Sequence, residues 1–149
     1  MREILFRGKR VDTGQWVISD CFFQCVGEIK LWDNPNRDGW VCVKAETIGQ
    51  YTGLTDKNGT KIFEGDIVEI HDKATNIHWT AIIEFGNPNS DYCWGWQLKP
   101  LKILKPTAVK EFYWNKSILC WVEMECAGVL CEVIGNIYDN PELLQNVEE

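Results

Sequence analysis

Apolar and polar side chains take turns one for one along much of this chain. Trp79, Ala81, Ile83 and Phe85 fall on one side of an extended backbone, with Thr80 and Glu84 on the other. Tyr92, Trp94, Trp96 and Leu98 likewise oppose Cys93, Gly95, Gln97 and Lys99. A period of two is met by a strand and not by a helix, whose period is 3.6. The same reading covers residues 4–7, 16–19, 40–45, 67–71, 118–125 and 131–138, rich in Val, Ile and aromatics and punctuated by Gly, Asn, Asp or Pro. Many short strands at close intervals predict a mainly β fold. We expect a small antiparallel barrel, SH3-like or related, with an N-terminal β meander and a short C-terminal helix. With 149 residues the chain suits a single domain, and any sub-boundary falls near residues 46–53.

The turns carry their own chemistry. Asn58-Gly59 supplies two residues that tolerate positive φ, so 56–61 reads as a tight turn into Ile62 and Phe63. Gly65-Asp66 permits a second reversal, where the Asp66 carboxylate can accept from nearby backbone N–H groups. The strand that starts there pairs with 80–85 through the polar loop 72–76. Asn140, Pro141 and Glu142 read as the start of a helix of about two turns, with Leu143, Leu144 and Val147 to dock it. A second helical stretch over 107–114 suits a strand equally well.

Charge narrows the function classes. Of 15 basic and 22 acidic residues, every Lys and Arg lies within 1–116, and 117–149 holds acids alone. A net charge of −7 argues against general nucleic-acid binding, which rests on cations neutralising phosphates. The one segment fit for a local basic patch is Lys99, Lys102, Lys105, Lys110 and Lys116, with Trp94, Trp96 or Trp114 to stack on bases. Pro100 and Pro106 keep it from being one continuous basic helix. No apolar run approaches the roughly 20 residues that span a bilayer, and the segment after Met1 lacks a signal-peptide apolar stretch. We therefore expect no membrane association and a cytoplasmic setting.

Seven Cys, an odd number without an export signal, are expected to be reduced thiols. Cys21 and Cys25 are three residues apart in between, Cys126 and Cys131 four, and no C-x-x-C pair is present. Neither metal nor cofactor is expected. Residues 34–39 imitate the opening of a Ca²⁺ loop, but the twelfth position is Ala45 where a bidentate Glu belongs. His71 and His78 flank one hairpin loop and can approach each other across it, with Cys42 or Cys93 as nucleophiles only if the fold brings them in. Glu64, Asp66 and Glu69 form a small acidic cluster. No nucleotide, zinc-protease or hydrolase motif is present, so a catalytic centre is not expected.

Eight Trp is the most unusual compositional fact. Trp79, Trp94 and Trp96 alternate with polar residues as core strands do. Trp32, beside the Asn-rich loop, and Trp114, beside Lys116, are candidates for an exposed binding surface.

The run Ile48-Gly49-Gln50-Tyr51-Thr52-Gly53-Leu54-Thr55-Asp56-Lys57-Asn58-Gly59, continuing through Ile62-Phe63-Glu64-Gly65-Asp66-Ile67-Val68, closely resembles the signature of the YopX-like proteins of phages and prophages. Residues 1–7 and 132–144 resemble that family's two ends. The resemblance implies a mainly β fold, a bacterial or phage cytoplasmic setting and self-association, and it supplies no catalytic residue or cofactor. Within the motif Gly59, Gly65 and Asp66 have structural roles, which leaves Gln50, Tyr51 and Glu64 as candidates for contact. The expectation is a non-catalytic interaction module whose partner is itself or a host or phage protein. Nucleic-acid association through Lys99 to Lys116 is a second class, and a small enzyme using Glu64 or the His pair a third.

Overall fold

A computed structural model describes residues 2–33, 39–73, 76–86, 95–103 and 129–147. The strand expected over 118–125, the stretch 107–114, the Ca²⁺-like residues 34–38, and Tyr92, Cys93 and Trp94 lie outside these residues. The described strands form three antiparallel sheets, so the fold is mainly β. The chain divides into two compact units, Met1–Gly53 and Leu54–Glu149.

In the first unit β1 (Phe6–Lys9) pairs with β2 (Trp16–Ser19), running from Phe6 opposite Ser19 to Lys9 opposite Trp16. Its other side meets the start of β6 (Gly49–Thr55), with Phe6 opposite Gln50. A second sheet is built from β3 (Phe22–Cys25), β4 (Glu28–Asp33) and β5 (Gly39–Val43), in that order. The turn Val26-Gly27 joins β3 to β4, and Gly27 sits at φ 78°, where a side chain is strained. Val17, Leu31, Val41 and Val43 are buried together, flanked by Phe6, Ile29 and Ile48. Alternation along β4 turns Leu31 and Asp33 inward and Trp32 outward. The Arg10 guanidinium reaches the buried Asp33 carboxylate at 3.1 Å, which offsets the cost of taking that charge out of water.

The second unit holds β7 (Lys61–Phe63), β8 (Asp66–Asp72), β9 (Ile77–Gly86), β10 (Gly95–Ile103) and β11 (Val129–Asn136). The last four form one sheet in the order β10-β9-β8-β11. The expected β8–β9 hairpin is present, with Ile67 opposite Ile82 and His71 opposite His78. One face of the sheet carries Val68, Ile70, Trp79, Ala81, Ile83, Trp96, Leu98 and Cys131, all buried, with Ile62 of β7 against them. Trp79 and Trp96 are core residues, as their alternation predicted. Phe85 lies on the same face, opposite Trp96, but is 60% exposed. It lies beyond the last β8 partner of β9 and meets the Trp96 ring edge-on at 5.0 Å.

One expectation needs correction. No closed barrel forms among the described residues: alternation fixes which side of a strand is buried, but closure requires a consistent stagger that it does not encode. The expected short C-terminal helix is present over Pro141–Val147, as a 3-10 helix. Its Asn140 carboxamide oxygen accepts from the Asn136 N–H at 3.2 Å and so turns back towards β11 instead of capping the turn ahead. Pro100 lies in β10, an extended strand and so no part of a continuous basic helix, at the margin of the sheet among the described residues, where the register slips between Pro100 and Lys102. A margin strand is where a residue without an N–H is tolerated.

The two turns behave as their residues dictate. Asp56 accepts from the backbone N–H groups of Asn58 at 2.8 Å and Thr60 at 2.9 Å through Oδ1, and from that of Val133 at 3.0 Å through Oδ2. Burial alone raises its pKa, but these bonds outweigh it and the carboxyl is held below its ordinary value. Asp66 accepts from the Phe63 N–H at 2.8 Å. Gly65 has φ 84°, and a Cβ there would meet the Tyr138 ring at 3.1 Å, so both conformation and space demand glycine.

Candidate functional site

The outward face of the β3-β4-β5 sheet gathers exposed aromatic side chains. The pairing sets Phe23 opposite Lys30, Lys30 opposite Cys42, and Trp32 opposite Trp40, so all five belong to one face. Trp32 and Trp40 meet edge-on with centroids 5.5 Å apart, and Phe23 lies 6.0 Å from Trp40. Trp32 is 39%, Trp40 48% and Phe23 49% exposed. Large rings held against one another yet half open to water lose little freedom on binding, which is how aromatic anchors contribute to interfaces.

Trp40 separates two clefts. One of about 400 Å³ is lined by Phe23, Lys30 and Trp40. The other, about 540 Å³, is lined by Arg10, Val11, Asp12, Trp40, Val41 and Cys42. Arg10 bonds Asp12 at 2.7 and 2.8 Å as well as Asp33, so two carboxylates share one guanidinium. The Arg10 hydrogen bond is the largest influence holding the Asp12 carboxyl down at about 2. With its cation so committed, this cleft does not suit phosphate.

The polar face of the second unit's sheet holds the histidine pair. His71 and His78 stack with centroids 3.9 Å apart and an interplanar angle of 15°. Their Asn76 and Glu69 neighbours stand at 3.3 Å from His71 Nε2 and 3.6 Å from His78 Nδ1. Cys42 belongs to β5 of the first unit, and Cys93 lies outside the described residues. Asp66 points inward to its own turn while Glu69 faces outward, so the acidic cluster expected with Glu64 is divided. Among the described residues no three His, Cys, Asp or Glu side chains form a metal-ligating group.

Other sequence candidates scatter. Lys99 lies on the polar face 3.6 Å from Glu84, and Lys57 pairs there with Glu132, so acids accompany the described cations. Lys102 stands opposite Thr80; Lys105, Lys110, Lys116 and Trp114 lie outside the described residues. Gln50 is half-buried beside Phe6 in the first unit, and Glu64 is half-buried in the turn before β8. Tyr51 is buried, with its N–H donated to the Leu5 carbonyl at 2.8 Å, so its ring offers no contact surface. Of the four proposed contact residues that are described, Trp32 alone falls in the aromatic patch. Its neighbours Phe23 and Trp40 escaped notice because Phe22-Phe23 is apolar on both faces. The usable signal was Trp40 taking turns with Val41 and Val43.

The four cysteines Cys21, Cys25, Cys42 and Cys131 are unbridged. Burial, followed by the nearby Asp56 and Asp66 charges, pushes the Cys131 thiol up to about 12. In the native protein at pH 8, iodoacetamide is expected to alkylate the exposed Cys25 and to leave Cys131 unmodified, which peptide mass mapping reads directly.

Residues 6–145 match the family model described as YopX protein. Among solved structures the chain is similar to protein EF1440 from Enterococcus faecalis. The two share 22% identity, with 97% of this chain and 99% of that chain covered and a TM-score of 0.42. No curated protein matches. No helix among the described residues is long and apolar enough to cross a membrane.

Proposed function

The chain belongs to the YopX family, and from the exposed aromatic face of its β3-β4-β5 sheet we propose that it is a non-catalytic protein-interaction module. The observation that carries this is the mutual contact of Phe23, Trp32 and Trp40 on one open sheet face. Scattered apolar residues are ordinary on a surface, whereas a connected aromatic patch between two clefts marks a place where another protein packs. On this reading the protein works in the bacterial cytoplasm as a phage or prophage product, against a copy of itself or a host or phage protein. The family resemblance supports that setting, and the aromatic patch supports a protein as the partner.

Light scattering at micromolar concentration, together with affinity capture from host lysate, tests the reading with the Trp40→Ala variant. The expected result is at least a tenfold weakening of self-association or of partner retention, about 1.4 kcal/mol or more, with a melting temperature close to the parent's. A parent protein that is strictly monomeric and retains nothing, or a Trp40→Ala variant that binds as the parent does, overturns it.

A further inference from the structure

We propose that the occupant of this face is a second copy of the chain, joined antiparallel along the open edge of β3 with Phe23 on the two-fold axis. The inference rests on the interaction reading above and names its partner and register. In the described residues β3 is the first strand of its sheet and pairs only with β4. At the far margin, Val11 N–H donates to the Cys42 carbonyl and Lys44 N–H to that of Lys9, so among the described residues β5 has a neighbour on its outer side and β3 has none.

The ladder determines which backbone groups are available. Trp32 N–H donates to the Cys21 carbonyl at 3.3 Å, so Cys21 faces β4 with its hydrogen-bonding groups, as do Phe23 and Cys25 two and four residues on. Phe22 and Gln24 therefore direct their N–H and C=O groups away from β4. Two copies brought together about Phe23 set Phe22 of each opposite Gln24 of the other, and each such pair exchanges two hydrogen bonds. Phe23 then faces its own symmetry mate in a non-hydrogen-bonded position, where side chains come closest. The two aromatic patches become one.

The sequence of this edge reads the same in both directions on the exposed face: Cys21, Phe23, Cys25. A strand that pairs with itself antiparallel sets position n of one copy against its mirror position in the other, so Cys21 of each meets Cys25 of the other. No residue from 21 to 25 is charged, and so no like charges oppose across the axis. The edge also lacks the Lys, Pro or bulge with which solitary proteins blunt such strands. All four residues of β3 are exposed. An isologous contact of this kind closes at two copies.

Cysteine cross-linking tests the register. Within one chain Cys21 and Cys25 stand about 13 Å apart along the strand, beyond the roughly 7 Å a disulfide spans, so a 21–25 link is necessarily between chains. Diamide takes two electrons and two protons from each thiol pair and becomes the hydrazine as the S–S bond forms. The expected product is a covalent dimer whose tryptic map contains the Cys21–Cys25 link. Cys21→Ser and Cys25→Ser variants should each lose that link, and an equimolar mixture of the two should regain it. Gln24→Pro removes an N–H aimed away from β4, so it should abolish the dimer in light scattering while the melting temperature stays within a few degrees. Cross-links confined to other cysteines, or a Gln24→Pro protein that dimerises as the parent does, overturn this register and leave the interaction reading intact. A parent that is monomeric yet retains another protein through Trp40 overturns the second copy as occupant and nothing else. A parent that does neither overturns both.

Discussion

Asp56→Ala is expected to destabilise the second unit by about 3 kcal/mol, because three backbone N–H groups lose their acceptor at once. Those of Asn58 and Thr60 hold the Asn58-Gly59 turn, and that of Val133 lies in β11. One carboxylate thus ties a turn to a strand far along the chain, and neither end has a substitute. Asp56→Asn keeps a single carbonyl oxygen and should recover only part of the loss. The pH dependence has a definite sign. A carboxyl held below its ordinary pKa stabilises fully above the unfolded value near 4 and loses that contribution as pH falls through the lower folded value. Urea unfolding of parent and variants from pH 7 down to pH 2 checks both parts. The gap between parent and Asp56→Ala should be constant near neutrality and shrink in acid, and a gap that is absent at pH 7 or widens in acid counts against the carboxylate's role.

Leu31→Ala and Trp32→Ala separate folding from recognition at neighbouring positions. Leu31 is fully buried among Val17, Val41 and Val43, so its truncation leaves a cavity and should cost about 3 kcal/mol. Trp32, one residue on, faces the other way and touches Trp40. Its truncation should cost stability about 1 kcal/mol while weakening association through the aromatic face. Denaturant melts paired with light scattering on the two variants decide the matter. If both lose stability equally, Trp32 is a packing residue and the outward face has no separate role.

Alternation was legible wherever one side of a strand was greasy and the other was not. Trp79, Ala81 and Ile83 declared their buried face, and Ile67 to His71 found its partner across a polar loop. Asn58-Gly59 and Gly65-Asp66 announced turns through conformations and acceptors that few residues supply. β3 and β4 were harder to see, since Phe22 and Phe23 are neighbours of equal hydrophobicity and pack on opposite sides, Phe22 against Phe6 at 5.1 Å and Phe23 against Trp40 at 6.0 Å. Tyr51 sits in a run of polar and small residues, and only the fold reveals that it is enclosed. The helical start at Asn140 was read from local rules and is found at Pro141, while the Asn140 side chain accepts from the Asn136 amide four residues back. The aromatic patch itself joins residues 23, 32 and 40, which adjacency in sequence does not connect.

The register slip in β10 bears on how this protein behaves when concentrated. Among the described residues β10 is a margin strand, and there Pro100 withholds one amide and the register slips before Lys102, so the row of donors it offers an incoming chain is interrupted. Open-ended stacking into fibrils needs an uninterrupted row, and along this flank the molecule is protected against it without any charge being required.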